Sequence, residues 1–315
     1  MTAISPVADL TIEDDVAVLT IDSPPVNALS HAVRDAIVAG VTQAEQIAAV
    51  KAIVLLCAGK TFIAGADITE LGKPFRAPTL IDVEDRIEDC SKPVIAAIHG
   101  TALGGGFEVA LSCHERIAVP SAKCGLPEVH LGLLPGAGGT QRLPRLLGIE
   151  QSLEMMLTGK HVGAPALHKG GVIDELAREG HLRTDAVAFA RRIVDEGMPL
   201  KKVRDSNDKL KDVNPEIFAA IRKEHAKKFR GFLAPEYILR AVEAAATQPF
   251  EEGMKVERRF FEELLQSAES AAQRYVFFAE RQVWKIPDVP DDTPVLPIRK
   301  VGIVGAGTMG GGIAM

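Results

Sequence analysis

Short apolar segments alternate with glycine-rich turns and helical patterns through the first 190 residues, which leaves few folds open to this chain. Residues 16–21, 52–56 and 93–98 are rich in Val, Ile, Leu and Ala. Runs of this length and composition are typical of strands buried on both faces, as in parallel sheets. Ser30 is a candidate N-cap for a helix reaching Ala48, and residues 107–113 and 117–119 predict a helix and a short strand. The fold class predicted is α/β.

The strand-like runs stop at about residue 186, and helical patterns follow over 186–196, 215–229, 235–246 and, as one long helix, 251–281. Phe260, Phe261, Leu264 and Leu265 share one helical face, which indicates core packing. Residues 286–297 hold four prolines and three aspartates, as an extended linker does. We therefore expect four segments: a core at 1–190, a helical extension at 191–284, a Pro-rich linker at 285–297 and the start of a further domain at 298–315.

The last segment contains a glycine fingerprint. A predicted strand at 301–304 leads into Gly305, Gly307 and Gly310, spaced as Gly-x-Gly-x-x-Gly, and then into a helix. This order is typical of a dinucleotide-binding turn. The acidic ribose-binding residue expected about 20 residues further on falls beyond Met315. We expect the first βα piece of an NAD-binding Rossmann domain, with NAD a cofactor of a full-length protein and not of this chain alone.

Charge and composition argue against several classes of protein. The net charge is -6, with no long basic run, which argues against a nucleic-acid partner. The apolar runs are too short to span a bilayer, and no secretory signal precedes them. The four cysteines form no Cys-x-x-Cys pair. Cys113 next to His114 could be a ligand pair or a nucleophile, but a buried core thiol is the preferred interpretation, so no metal is expected.

Two glutamates lie beside glycine-rich, apolar stretches. Glu108 follows a triple glycine, and Glu128 follows Gly125-Leu126-Pro127. Two carboxyls held close in a low dielectric cannot both ionise easily, so one can serve as an acid and the other as a base. Gly105, at a helix start, and Ala66 could donate N–H groups to an oxyanion. Each feature also has an ordinary interpretation: surface glutamates, close packing at glycine, and a common loop.

Together these stretches resemble the enoyl-CoA hydratase/isomerase (crotonase) family, over residues 24–30, 64–68, 99–108 and 126–142. Residues 277–281, the linker and the glycine fingerprint resemble the multifunctional β-oxidation enzymes, which fuse a hydratase to an L-3-hydroxyacyl-CoA dehydrogenase. The resemblance implies a crotonase-like ββα spiral core. It also implies an acyl-CoA substrate and hydration of trans-2-enoyl-CoA to L-3-hydroxyacyl-CoA in fatty-acid β-oxidation, with no cofactor for that step.

The resemblance also implies roles for residues. Ala66 and Gly105 would form the oxyanion hole, next to substrate-binding residues Ala64, Asp67 and Ile68. Glu108 would activate water, and Glu128 would deliver a proton to C2 or shuttle it in a 3-enoyl to 2-enoyl isomerisation. One departure is that Thr69-Glu70 stands where many single-domain relatives have a lysine near the CoA phosphates. The candidate replacements are Lys60, Lys73 and Lys285.

Other functions stay open from the residues alone. They are a different CoA-thioester reaction of the same superfamily, such as hydrolysis or dehalogenation, an NAD-dependent dehydrogenase, and a non-catalytic acyl-CoA-binding fragment. The resemblance implies a monomer if the chain follows the fused enzymes and a trimer if it follows the single-domain hydratases. It implies the cytoplasm of a bacterium, or the peroxisome if the source is eukaryotic. No membrane partner is expected.

Overall fold

A computed structural model of the protein describes residues 2–74, 76–283, 286–290 and 292–315. The chain divides into two units, Met1–Arg274 and Tyr275–Met315. Lys285, one of the lysines considered for the CoA phosphates, lies outside the described residues, as does Asp291 of the expected linker.

The first unit is built on a mainly parallel sheet. Its seven strands run in the order β1-β2-β3-β4-β5-β7-β10, and β6, β8 and β9 form a second, smaller sheet. The strands are β1 (Thr2–Ser5), β2 (Ala8–Glu13), β3 (Val16–Ile21), β4 (Ala52–Cys57), β5 (Val94–Ile98), β6 (Thr101–Leu103), β7 (Glu115–Ala118), β8 (Lys123–Gly125), β9 (Val162–Gly163) and β10 (Glu175–Leu176). From β3 to β10 all neighbours in the large sheet are parallel, while β1 and β2 continue it antiparallel.

The strands expected at 16–21, 52–56 and 93–98 are confirmed, and the α/β fold class with them. Every residue of β4 and β5 is buried, which is why those segments carry almost no polar side chains. The strand expected at 117–119 lies at Glu115–Ala118 instead. Its first two residues are a buried glutamate and a buried arginine, so hydrophobicity alone did not predict its start.

Helices cover the sheet and form most of the chain after β10. They are α1 (His31–Gln46), α2 (Leu80–Glu88), α3 (Gly105–Ser112), α4 (Gly139–Leu147), α5 (Ile149–Thr158), α6 (Ala164–Gly170), α7 (Leu182–Asp195), α8 (Glu216–His225), α9 (Ala234–Thr247), α10 (Phe250–Leu265), α11 (Ala268–Val283) and α12 (Thr308–Ala314). The predicted N-cap is confirmed, because the Ser30 side chain accepts from the N–H of Val33. In the described ranges, no helix is both long and apolar enough to cross a bilayer.

The prediction of one long helix over 251–281 is wrong. The structure has two helices, α10 and α11, separated at Ser267. The hydroxyl of Ser267 donates to the carbonyl of Leu264 (2.7 Å) and accepts from the N–H of Ser270 (3.1 Å). One serine therefore binds a carbonyl at the end of α10 and caps the start of α11.

The Tyr275–Met315 unit contains the glycine fingerprint. The strand predicted at 301–304 is wrong, because none of the described residues pairs with it and Val301 and Val304 are exposed. Helix α12 does follow, and a Cβ on Gly310 would overlap the carbonyl of Gly305, so the turn requires glycine. The turn suits a close-lying pyrophosphate, but a dinucleotide site also needs the strand that positions this turn. A dinucleotide-binding role for Gly305, Gly307 and Gly310 stays a prediction.

Candidate active site

Glu108 is carried into the core of the first unit by the start of α3. Gly104, which precedes the helix, has φ of +51°, a conformation that favours glycine, and its N–H donates to the carbonyl of Gly125 in β8 (2.9 Å). A Cβ on Gly106 would overlap the backbone of Ile63. These glycines allow the helix to begin against the backbone of neighbouring segments. They place Glu108 one turn into α3, with only 3% of its surface exposed.

The carboxyl of Glu108 is held through one oxygen. Its Oε1 accepts from the N–H of Ala137 (2.9 Å) and from the N–H of Gly139 (2.8 Å). Burial raises the pKa of Glu108, and the two N–H donors and the charge of Arg142 oppose that rise. Within the described ranges, both hydrogen bonds to this side chain go to Oε1. The Oε2 atom is therefore left to bind a water or a substrate.

Glu128 has a different environment. It opens the short 3-10 helix Glu128–Leu131, is half-buried, and its buried Oε2 has no hydrogen-bond partner among the described residues. A Cβ on Gly104 would lie 3.0 Å from Oε1 of Glu128, so the carboxyl rests against the residue that precedes α3. Burial raises the pKa of Glu128 well above its usual range, and the charges of Glu108 and Glu257 raise it further.

The two carboxyls therefore differ in what they can do. An ionised carboxylate with an unpaired buried oxygen is costly, whereas N–H donors stabilise the charged form. Glu128 is the better proton donor, and Glu108 the better base. The charge of Glu108 raises the pKa of Glu128, so the two groups act within one electrostatic site. An acid and a base next to each other can add water across a double bond or move a proton along a chain.

Two backbone N–H groups lie beside this pair. Gly105 is the first residue of α3, so its N–H has no intrahelical partner. A Cβ on Gly105 would lie 3.5 Å from the backbone nitrogen of Ala66, an exposed residue that bridges to Leu29. Donors placed together at a helix N-terminus suit a developing oxyanion. The structure thus brings together Glu108, Glu128, Ala66 and Gly105, which come from three separate stretches of the sequence.

The three further residues predicted to bind substrate have other contacts. The N–H of Ala64 donates to the carbonyl of Val26 (3.2 Å). Asp67 caps the 3-10 helix Ile68–Glu70, and its Oδ1 accepts from both the N–H (3.0 Å) and the hydroxyl (2.7 Å) of Thr69. These contacts fold the loop that presents Ala66. A role in substrate binding stays a prediction for Ala64, Asp67 and Ile68.

The carboxylate of Glu70 binds residues of α1, so it is not an unpaired negative charge near the predicted position of the CoA phosphates. Its carboxylate accepts from the N–H of His31 (3.1 Å) and pairs with Arg34 (2.9 Å). Arg34 also donates to the carbonyl of Pro78 (2.8 Å), which fixes the following segment. Lys60 and Lys73 are exposed, so both can reach a solvated phosphate, and that role stays a prediction.

A model of the enoyl-CoA hydratase/isomerase family matches residues 11–209 of this chain. The chain belongs to the enoyl-CoA hydratase/isomerase family. It is 41% identical to the peroxisomal bifunctional enzyme of Danio rerio over 96% of this chain and 43% of that protein. The enzyme of the same name from Homo sapiens is 40% identical, over 96% of this chain and 43% of its own length. This chain spans less than half the length of these relatives.

Solved structures of similar proteins are consistent with membership of this family. The enoyl-CoA hydratase subunit I of Geobacillus kaustophilus HTA426 is 30% identical, with a TM-score of 0.57 over 88% of this chain and 97% of that one. An enoyl-CoA hydratase/isomerase from Pseudoalteromonas atlantica T6c has a TM-score of 0.64 at 22% identity, over 87% and 97% of the two chains, and supports the fold alone. The crotonase fold expected from the sequence is confirmed.

This family member has a third buried carboxyl at the site, which the sequence did not reveal. Glu257 of α10 is 1% exposed; its Oε1 accepts from the N–H of Gly138 (2.6 Å), and its Oε2 accepts from the N–H (3.0 Å) and hydroxyl (2.5 Å) of Thr140. Burial, and then the charge of Glu108, raise the pKa of Glu257 to about 8. In sequence it is one of many charged residues on an amphipathic helix, so no local pattern marks it.

A buried arginine connects the same loop to α2. Arg142 of α4 pairs with Glu84 (2.7 Å) and Glu88 (2.8 Å) and donates to the carbonyl of Ala137 (3.1 Å). Burial raises the pKa of Glu84 well above its usual range, although Arg142 opposes the shift. The loop that holds Glu108 is thereby fixed from α2 as well.

Cys113 and His114 form no ligand pair. The thiol of Cys113 is buried and donates to the carbonyl of Val109 (3.4 Å), and burial raises its pKa to about 12. Nδ1 of His114 accepts from the N–H of Val94 (3.0 Å). In the part of the chain that the structure describes, no cluster of His, Cys, Asp and Glu could hold a metal ion. The preferred interpretation of a buried core thiol fits these contacts.

Proposed function

We propose that this chain adds water to trans-2-enoyl-CoA thioesters and forms L-3-hydroxyacyl-CoA, a step of fatty-acid β-oxidation. Membership of the enoyl-CoA hydratase/isomerase family and the peroxisomal bifunctional relatives support the substrate class. The observation that carries the proposal is the unequal pair of Glu108 and Glu128 beside the two N–H groups of Ala66 and Gly105.

The chemistry follows from these positions. The thioester carbonyl oxygen accepts from Ala66 and Gly105, which stabilises negative charge as it develops there. Glu108 takes a proton from a water bound at its Oε2, and the water oxygen bonds to C3. The electron pair of the C2=C3 bond moves towards the thioester, and Glu128 gives its proton to C2. Water is added with no change of redox state, so the step requires no cofactor.

The same site supports a second activity, isomerisation of 3-enoyl-CoA to 2-enoyl-CoA. The buried Oε2 of Glu128 has no partner among the described residues, so this carboxyl can accept and return a proton without breaking a protein hydrogen bond. In its ionised form Glu128 would remove a proton from C2, and the C3=C4 double bond would move to C2=C3 through the enolate held by Ala66 and Gly105. The same carboxyl would then return the proton to C4.

The remaining segments fit a longer enzyme. We propose the four-segment division at residues 190, 284 and 297, with Gly305, Gly307 and Gly310 as the start of an NAD-binding domain. A full-length protein would then oxidise the 3-hydroxyacyl-CoA product with NAD. The bifunctional relatives carry "peroxisomal" in their names, and we propose that compartment for a eukaryotic source and the cytoplasm for a bacterial one.

The test is turnover of crotonyl-CoA, followed as loss of the enoyl-thioester absorbance. Glu128→Gln keeps the shape of the side chain but removes the proton, and we expect turnover to fall at least ~10²-fold. Glu150→Gln, an exposed position on α5, is the matched control and should turn over normally. Near-normal turnover by Glu128→Gln would contradict the proposed hydratase function.

Mass spectrometry of the product separates hydration from thioester hydrolysis. Binding of acyl-CoA without turnover would favour a non-catalytic acyl-CoA-binding chain.

A further inference from the structure

Residues 137–140, where the chain enters α4 and called the 137–140 loop below, lie between two buried glutamate side chains. The N–H groups of residues 137 and 139 donate to Oε1 of Glu108, at 2.9 and 2.8 Å. The N–H groups of residues 138 and 140 donate to Glu257 instead, at 2.6 and 3.0 Å. Successive amides thus bind opposite partners, and the two glutamates fix the loop from its two sides.

Glycine makes this arrangement possible. Gly138 has φ of +95°, and a Cβ there would overlap the Arg142 guanidinium. A Cβ on Gly139 would lie 2.8 Å from Oε1 of Glu108, closer than a side chain allows. The loop can therefore present four consecutive N–H groups to two carboxylates, with no side chain between them.

Helix α10 presents Glu257 from a fixed position. A Cβ on Gly253 would overlap the side-chain amide of Gln141, so α10 and α4 meet at contact distance one turn before Glu257. At the first residue of α10, the ring of Phe250 lies 5.1–5.7 Å from three guanidinium carbons, those of Arg142, Arg145 and Arg204. Glu257 also lies outside residues 11–209, the part of the chain that matches the family.

We propose that Glu257 is a positioning residue of the hydratase site. Its three hydrogen bonds hold the 137–140 loop so that the N–H groups of residues 137 and 139 stay aimed at Oε1 of Glu108, which keeps Oε2 of Glu108 directed at the attacking water. Glu257 reaches no substrate atom in this role. Its effect on turnover rests on the proposed function, whereas its effect on the loop does not.

The charge of Glu257 gives a second, independent readout. The ionisable groups that interact with it are Glu108 on α3, Arg142 on α4, Glu84 on α2 and Glu128. The pKa of Glu257 is about 8, so above that pH the side chain is negatively charged and raises the pKa of Glu128. Glu257→Gln removes that charge and lowers the pKa of Glu128, so in this alkaline range Glu128 loses its proton at a lower pH. The alkaline limb of kcat should therefore move to lower pH.

The experiment compares Glu257→Gln with Glu252→Gln, a solvent-exposed glutamate on the same helix. For crotonyl-CoA we expect Glu257→Gln to lower kcat about 10- to 100-fold, because a small misplacement of the base is costly. KM should change little, and the alkaline limb should shift to lower pH. Glu252→Gln should match the unmodified chain in kcat, KM and pH profile.

Backbone amide NMR tests the loop without turnover. In Glu257→Gln the resonances of residues 137 and 139 should move together with those of 138 and 140, although only the latter pair binds Glu257. A change confined to 138 and 140, with kcat and the alkaline limb unaltered, would overturn the proposal even if the melting temperature falls. If the unmodified chain turns over no enoyl-CoA, the proposed function fails while the amide shifts still decide the positioning role.

Thr140→Val provides a milder change in case Glu257→Gln does not fold. It deletes one of the three hydrogen bonds to Glu257 and leaves both N–H bonds in place. A smaller loss of kcat and smaller shifts at residues 137 and 139 are expected. Unchanged kcat together with unchanged shifts at both residues would contradict the proposal.

Discussion

Glu108 is buried and Glu128 is half-buried, and the backbone gives them different partners. Two N–H groups donate to Glu108, whereas Oε2 of Glu128 is buried with no donor from the described residues. Leaving a carboxylate oxygen buried and unpaired costs free energy that protonation avoids. Under the proposed function, the division into acid and base is therefore set by where backbone amides point, and a change in the backbone should alter it.

Gly104→Ala tests that dependence at a single residue. Alanine is strained at φ of +51°, and its Cβ would lie 3.0 Å from Oε1 of Glu128. We expect a loss of about 1–3 kcal/mol in the free energy of unfolding, measured by urea denaturation, and a fall in turnover. Gly180→Ala has the same kind of strain, at φ of +75°, with nothing within 4 Å. It should lose stability but keep full turnover, and an equal loss of turnover in both variants would argue against the contact with Glu128.

The sequence predicted some site residues and missed one, for a physical reason. Glu108, Glu128, Ala66 and Gly105 each lie in a glycine-rich stretch, because a helix start or a close backbone approach needs small residues there. These requirements for small residues appear in the local sequence as glycine-rich stretches. The position of Glu257 in the site depends on the packing of α10 against α4. Glu257 is 119 positions from Gly138, to which it is hydrogen-bonded, so no local sequence pattern marks it.

At the level of elements, α2, α4 and α10 are joined by buried charges around Arg142. Arg142→Met would keep most of the packing volume but leave Glu84 and Glu88 without this cation. We expect about 3–5 kcal/mol of destabilisation, mainly from Glu84, which is buried and loses its pair, whereas Glu88 keeps its pair with Arg204. Lys160→Met, which removes an exposed pair with Glu154, should cost less than about 1 kcal/mol. Urea denaturation of both variants measures the difference.

The pH dependence of this loss has a definite sign. Although burial raises the pKa of Glu88, Arg142 and Arg204 outweigh that effect and hold it below its usual value, so removing Arg142 raises it. A group whose folded-state pKa is lowered stabilises the fold above its unfolded pKa, and that contribution is lost as pH falls through the folded pKa. The destabilisation by Arg142→Met should therefore grow from acid to neutral pH. A loss that is constant with pH would show that packing, and not charge, is responsible.

The same contrast between local and distant causes explains which elements were predictable. The strands β3, β4 and β5 are almost entirely apolar and buried, and composition predicted them. The break between α10 and α11 depends on Ser267, whose capping role is visible only once both helix ends are placed. Residues 301–304 have the composition of a strand, but a strand also requires a hydrogen-bonded neighbour, and the described residues offer none.

At the level of the whole molecule, the first unit supplies its own site. Glu108, Glu128, Ala66, Gly105 and Glu257 all lie within Met1–Arg274, and α10 packs against α4 and α9 of the same chain. A site that is completed by its own chain needs no neighbouring subunit to hold the acid, the base or the 137–140 loop. We therefore predict the monomer implied by resemblance to the fused enzymes, and not the trimer of single-domain hydratases.

We expect light scattering to give the mass of one chain, 33.7 kDa, and the specific activity to stay constant on dilution. Within the second unit, Tyr275, Val276 and Phe278 of α11 are exposed apolar residues that could bring copies together at high concentration. Phe278→Glu is the control, because it should remove such association without altering turnover. The opposite result would be a stable trimer whose specific activity falls as it dissociates. If Phe278→Glu and the unmodified chain both behave in this way, a neighbouring subunit completes the site. Constant activity across dissociation would instead place the whole catalytic apparatus within one chain.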